Sequence, residues 1–179
     1  MTTARAAKIK LVLFDVDGVL TDGKIVLHAD GTESKVFDIK DGTAIVWAQR
    51  LGLQVGFLSA RTSAATAQRA AQLGITLVHQ GVPSKLETYD QIADSLLLED
   101  EQIAYMGDDI LDLPVLSRVG LATAPADAAD DVRVRVHWVS AAKGGAGAAR
   151  DLIELILRAQ DKWESIIATY MAAVQDQQA

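Results

Sequence analysis

The sequence contains no cysteine, which removes disulfides, thiol nucleophiles and thiolate-held metals from consideration. Its three histidines, His28, His79 and His137, are scattered and take no assigned role. Aromatic residues make up only 5% of the chain, and Trp47, Trp138 and Trp163 read as packing residues rather than a base-stacking platform. Positive charge is short as well: 17 Lys and Arg face 24 Asp and Glu, for a net charge of −7. That balance argues against a nucleic-acid partner, since phosphates are neutralised by clustered cations. No apolar run approaches a membrane span, and the opening MTTARAAKIK lacks the apolar stretch of a signal peptide. The expectation is a cytoplasmic chain with no membrane partner. Half of the residues are hydrophobic and 23% charged, a globular balance, and 179 residues suit one domain over 1–179.

Short apolar runs alternate with helical patterns. Strands are predicted at Ile9–Phe14, Gln54–Leu58, Leu77–His79, Ile103–Met106, Val119–Ala122 and Val134–Val139, with helices near 43–51, 62–73, 83–97, 109–117 and 146–159. Apolar strands spaced by helices read as a parallel sheet buried on both faces, a Rossmann-like three-layer α/β/α sandwich. One segment interrupts the alternation. KIVLHADGTESKVFDI (24–39) reads as two strands around Asp30-Gly31, a hairpin inserted after the first strand. A lone hairpin is marginal in water, so this one needs the body of the protein or another subunit to pack against. The last part, 144–179, joins a glycine-rich segment to a helical stretch, Asp151–Val174. Leu152, Ile153, Ile156, Trp163, Ile166, Ile167, Tyr170 and Val174 would form its apolar stripe.

Ligands of parallel α/β sheets bind beyond the carboxyl ends of the strands. Asp15 and Asp17 fall just past the first strand, Ser59 just past VGFL, and Asp108 and Asp109 just past IAYM, with Asp112 one turn further on. Lys85 opens the helix after GVPS. Carboxylates gathered in a low-dielectric site raise one another's pKa unless a cation relieves them. An all-oxygen ligand set points to Mg²⁺ rather than Zn²⁺. Ser59, Lys85 and free backbone N–H groups suit phosphate oxygens. One aspartate could attack phosphorus while a second, two residues on, serves as acid and then base.

The same residues carry a family resemblance. DVDGVLTDG, LSAR, Lys85 and GDDILD resemble, in order, the four motifs of the haloacid dehalogenase-like phosphohydrolase superfamily. The resemblance implies Asp15 as nucleophile and Asp17 as general acid/base. It also implies Mg²⁺ held by Asp15, Asp108 and the main-chain carbonyl of Asp17, with Asp109 or Asp112 supporting the metal site from behind. Ser59 and Lys85 would hold the phosphoryl group. The stretch from Asp15 to Ser59 has room for the hairpin and one helix, and that from Ser59 to Lys85 for one helix and a short strand. Neither accommodates a cap domain, so something else must exclude water from the site.

DGTESKVFDIKDG, SARTSAATAQRAAQLGI, HQGVPSK and GGAGAARDLIELIL together look like the capless 3-deoxy-D-manno-octulosonate (KDO) 8-phosphate phosphatase family. What that resemblance implies is a homotetramer built on its hairpins, hydrolysis of a phosphosugar acid for lipopolysaccharide precursor synthesis, and a neighbouring subunit over each site. Arg61 and Arg69 would contact the sugar acid, which suits the bidentate pairing of guanidinium with carboxylate. Gly144, Gly145, Gly147 and Arg150 match a segment that reaches toward a neighbour's site. The chain departs from the family pattern in having Ala60 for Gly and Asp151 for Glu. Two other readings compete: a phosphatase for nine-carbon sugar acid 9-phosphates, and a non-catalytic oligomerising domain of the same fold.

Overall fold

Leu11–Phe14 forms β1, and all four of its side chains are out of water. Branched and aromatic apolar residues in unbroken succession suit a strand covered on both faces. The computed structural model describes residues 2–175. A short helix α1 (Thr2–Ala6) precedes β1, and the hairpin strands β2 (Val26–Leu27) and β3 (Glu33–Ser34) follow it. Then come α2 (Ile39–Arg50), β4 (Gln54–Leu58), α3 (Ala64–Gln72), β5 (Leu77–His79), α4 (Lys85–Leu96) and β6 (Ile103–Met106). The chain ends with α5 (Leu113–Leu116), β7 (Leu121–Ala124), α6 (Asp130–Arg133), β8 (Trp138–Val139), α7 (Ala148–Ala159) and α8 (Trp163–Gln175).

The six-stranded sheet has the order β5-β4-β1-β6-β7-β8, with every neighbouring pair parallel. Side chains alternate between its two faces. Val12, Phe14, Val55, Phe57 and Met106 meet Ile45 of α2 and Leu152, Ile153 and Ile156 of α7 in one core. Leu11, Leu13, Ile103 and Tyr105 meet Tyr89 and Ile92 of α4 and Val115 of α5 in the other. This is the expected three-layer α/β/α arrangement. Phe14 lies opposite Phe57 on one side and Met106 on the other. The carboxyl ends of β1, β4 and β6 are therefore level, and the residues that follow them share one rim.

The hairpin is shorter than the alternation suggested. Only two residues pair on each side, Val26 with Ser34 and Leu27 with Glu33. Asp30 closes the turn by accepting the Thr32 N–H at 3.0 Å and its hydroxyl at 2.7 Å, while Gly31 takes φ +84°. Val26, Leu27, Val36 and Ile39 all stand exposed.

Three expectations need correction. The stretch Asp151–Val174 is two helices, because Asp161 adopts φ +56° and the Lys162 N–H turns back to the Leu157 carbonyl. Trp163 and Ile166 then pack on the chain's own core while Ile167 and Tyr170 stay exposed; the side chain of Val174 lies outside the described residues. The strand expected at Val119–Ala122 is Leu121–Ala124, since the N–H of Val119 still bonds Val115 at the end of α5. The strand expected at Val134–Val139 shrinks to Trp138–Val139, its first residue being spent on the end of α6. Among the described residues no helix is long and apolar enough to cross a membrane.

Candidate active site

The N–H of Asp15 continues the β1–β6 ladder for one step, donating to the Met106 carbonyl at 3.0 Å. The chain then folds into a tight loop. The N–H groups of Leu20 and Thr21 return to the Val16 carbonyl at 3.0 and 3.1 Å, and the Thr21 hydroxyl oxygen accepts the N–H groups of Gly18 and Gly23. Gly18 takes φ +93°, and a Cβ there would run into the Asp108 carboxylate. Glycine is thus what lets the loop after β1 and the one after β6 touch.

Asp15, Asp108 and Asp112 each offer a carboxylate oxygen, all within 4.8 Å of one another. Lys85, the first residue of α4, reaches into the group, with Nζ 2.8 Å from Asp15 Oδ1 and 2.6 Å from Asp112 Oδ1. Asp112 is fully engaged. Its Oδ1 also accepts the Tyr105 hydroxyl at 2.6 Å, and its Oδ2 accepts the N–H groups of Asp108 and Asp109 at 2.9 and 3.2 Å. Asp109 points outward and caps the next short turn through the Ile110 N–H at 2.7 Å. Of the two neighbouring acids, Asp112 is the one that joins the cluster.

The electrostatics follow from burial. Burial, then the Asp112 carboxylate, push Asp15 up to about 6 against the pull of Lys85. Burial, then Asp15, Asp112 and Asp109, push Asp108 up to about 8. Burial lowers Lys85, but Asp15 and Asp112 outweigh it and hold the ammonium above the ordinary lysine range. Three carboxylates against one ammonium leave two negative charges uncompensated when all are ionised. A hard divalent cation matches both that charge and the all-oxygen donor set.

Asp17 is directed elsewhere. Its carboxylate is not part of the three-residue group; Lys35 Nζ donates to both its oxygens, at 2.7 and 2.9 Å. Arg61 Nε lies 3.6 Å from Asp17 and its Nη2 donates to Glu33 at 3.1 Å. Ser59 is buried at the end of β4, where its hydroxyl oxygen accepts the Arg61 N–H at 3.2 Å. Arg69 donates to the Asp38 carbonyl at 3.1 Å and packs beside Phe37, at the foot of the hairpin. Asp22 accepts the Lys24 N–H and pairs with its ammonium at 2.9 Å, shaping the turn into the hairpin.

The glycine-rich segment closes on the same loop. The N–H of Gly145 donates to the Val19 carbonyl at 2.9 Å, and a Cβ on Gly144 would strike the Gly18 carbonyl. Asp41 on α2 accepts the Arg150 N–H at 2.8 Å and the Gly147 N–H at 3.4 Å, capping α7. The Arg150 guanidinium pairs with Glu154 at 2.7 Å and lies 5.2 Å from the Trp47 ring centre. In this chain, then, the segment packs against its own acidic loop.

No family model matches the chain. The curated 3-deoxy-D-manno-octulosonate 8-phosphate phosphatase of Yersinia pestis is 42% identical over 160 residues, covering 89% of this chain and 86% of that one. The chain belongs to the 3-deoxy-D-manno-octulosonate 8-phosphate phosphatase family. The crystal structure of the Yersinia pestis phosphatase superposes with a TM-score of 0.90 at 41% identity, covering 91% and 88% of the two chains. That of the Moraxella catarrhalis phosphatase, in complex with a magnesium ion, a phosphate ion and a KDO molecule, gives 0.92 at 34% identity, covering 94% and 97%.

Sequence reasoning passed over Lys35, Tyr105 and Asp41. In ESKVF, Glu33, Lys35 and Phe37 share one side of the hairpin while Val36 stands exposed. Two charged residues alternating toward the body were a readable signal. A tyrosine in an otherwise apolar strand, IAYM, was another, because a buried hydroxyl needs a partner.

Proposed function

We propose that this chain is a Mg²⁺-dependent phosphatase that hydrolyses KDO 8-phosphate to KDO and phosphate, in the supply of lipopolysaccharide precursors. The observation that carries the reading is the meeting of Asp15, Asp108 and Asp112 around Lys85 at the sheet's carboxyl rim. The Moraxella catarrhalis relative, whose crystal structure includes magnesium, phosphate and KDO, supports it. Asp15 and Asp108, with the main-chain carbonyl of Asp17, would hold the metal, which supplies positive charge to the phosphoryl oxygens and permits a carboxylate to approach them.

In the reaction, Asp15 attacks phosphorus and the P–O bond to the sugar breaks, leaving an aspartyl-phosphate on Asp15. Asp17 delivers a proton to the departing sugar oxygen and then takes one from the water that attacks the phosphoenzyme. Lys85 and the Ser59 hydroxyl hold phosphoryl oxygens. Asp112 fixes the Lys85 ammonium and the backbone of Asp108. Arg61, half exposed at the mouth, and Arg69 are the groups assigned to the substrate carboxylate.

The proposal includes a homotetramer in which a neighbour covers the site. The exposed Val26, Leu27 and Val36 on a hairpin too short to be stable alone, with exposed Ile39 where α2 begins, support it. It also includes a cytoplasmic location, where a charged phosphate ester is retained because it crosses membranes at high cost. Phosphate release is measured on KDO 8-phosphate, nine-carbon sugar acid 9-phosphates and simple sugar phosphates, with and without Mg²⁺. KDO 8-phosphate is expected to give the highest kcat/KM, and Asp15→Asn no turnover. Preference for another substrate would overturn the substrate assignment, and an active Asp15→Asn would overturn the mechanism.

A further inference from the structure

We infer that Lys35, carried by the hairpin, is a positioning residue for Asp17: it sets the direction in which that carboxylate meets the leaving oxygen. The inference rests on the acid/base reading of Asp17. Lys35 follows β3 directly, yet its side chain is completely covered (0% exposed), unusual for a lysine beside an exposed hairpin. It spans from the hairpin to both oxygens of Asp17, at 2.7 and 2.9 Å. A two-oxygen grip fixes rotation as well as position, whereas a single contact leaves the carboxylate free to turn.

The rest of the neighbourhood fits a support rather than a surface ion pair. Glu33 Oε1 lies 3.9 Å from Lys35 Nζ and, among the described residues, makes no hydrogen bond. Glu33 Oε2 takes Arg61 at 3.1 Å, and Arg61 Nε stands 3.6 Å from Asp17. Two cations, Lys35 and Arg61, and the Glu33 carboxylate between them thus gather at Asp17. The hairpin is therefore part of the catalytic apparatus, and its order decides how well Asp17 is aimed.

A positioning role of this kind has a readout that general destabilisation lacks. kcat/KM reports the steps up to departure of the leaving group. Phenyl and p-nitrophenyl phosphate have nearly the same shape, but p-nitrophenolate leaves without needing a proton and phenolate benefits from one. Neither carries a carboxylate, so loss of a substrate contact at Lys35 would not separate them. Lys35→Met is expected to lower kcat/KM for phenyl phosphate by about 30-fold and for p-nitrophenyl phosphate by less than about 3-fold, a share of the usual general-acid effect. Lys35→Arg, whose guanidinium fork offers an N–H to each Asp17 oxygen, is expected to recover most of the phenyl phosphate rate. Equal losses on both esters, or none on either, would overturn the role of Lys35. Asp17→Asn measured alongside separates the two claims: it should show the same divergence, enlarged. If Asp17→Asn shows no divergence, the acid/base reading of Asp17 falls and the inference about Lys35 falls with it.

Discussion

Lys85 and Asp112 meet at 2.6 Å with both side chains almost wholly out of water. Removing one member of such a pair strands the other, and stranded buried charge is costly. Asp112→Ala would leave the Tyr105 hydroxyl, one Lys85 contact and the N–H groups of Asp108 and Asp109 without their acceptor. A loss of roughly 3 kcal/mol in unfolding free energy is expected from denaturant titration. Weakened Mg²⁺ binding by calorimetry is expected as well, because Asp108 loses its anchor. A fully stable variant would mean that water replaces the carboxylate.

The pH dependence of the metal-free protein should run opposite to that of an ordinary ion pair. Asp15 at about 6 and Asp108 at about 8 hold protons more tightly than the unfolded value of 3.8. The stability they contribute is complete below about pH 4 and is lost as pH rises through about 6 and then about 8. Mg²⁺ takes the place of those protons, so its stabilisation should grow over the same window. Melting in EDTA and in Mg²⁺ from about pH 5 to about pH 8 checks this. Asp41, pushed up to about 6 chiefly by burial, adds a component in the same direction that Mg²⁺ should not relieve, and Asp41→Asn isolates it.

Gly144→Ala should damage a site that Gly144 does not line. Its Cβ would meet the Gly18 carbonyl, backbone against backbone, where no side chain can swing clear. Movement of the 15–23 loop would shift Asp15 and Asp17 together. We expect a loss of about 2 kcal/mol or more in stability and a fall in kcat with both phenyl and p-nitrophenyl phosphate. Normal kinetics would show that the two loops separate freely.

Where sequence reasoning succeeded and failed follows from the range of the forces involved. β1 and β6 are legible because a strand buried on both faces must be apolar throughout, and β4 and β5 because each is a short, mainly apolar run between helical patterns. Asp15, Ser59, Lys85 and Asp108 are legible because each stands one or two residues past such a strand or at a helix start. The choice between Asp109 and Asp112 is not, since both are acidic within one turn; the short turn at Ile110–Asp112 points one in and the other out. The break at Asp161 is hidden because neither glycine nor proline marks it. It is held instead by Lys162 Nζ on the Leu51 carbonyl and Gln160 on the Ile9 carbonyl, contacts more than a hundred residues away in sequence.

Val26→Glu with Val36→Glu places like charges on one exposed face of the hairpin. Light scattering is expected to show a smaller assembly than wild type. Unchanged mass would remove the hairpin from the interface.

Trp163→Ala should cost about 3 kcal/mol. The indole is buried and packs edge-on against Trp47 at 5.8 Å, with the Arg158 guanidinium 4.9 Å from its ring centre. Because this cluster lies beneath α8, the variant should lose stability while keeping kcat/KM at permissive temperature.

The strand order sets a timetable for biosynthesis. β1 is made first among the sheet strands, yet one of its two neighbours is β6, with Leu11 opposite Ile103. Its acidic tip is completed only by Asp108 and Asp112, and the loop behind it is held down by Gly144 and Gly145. A chain emerging from the ribosome therefore carries an exposed apolar strand ending in unmatched charge until most of its length has been translated. The carboxylates that would share a cation are thus brought together only after Asp112, well past the middle of the chain, has been made.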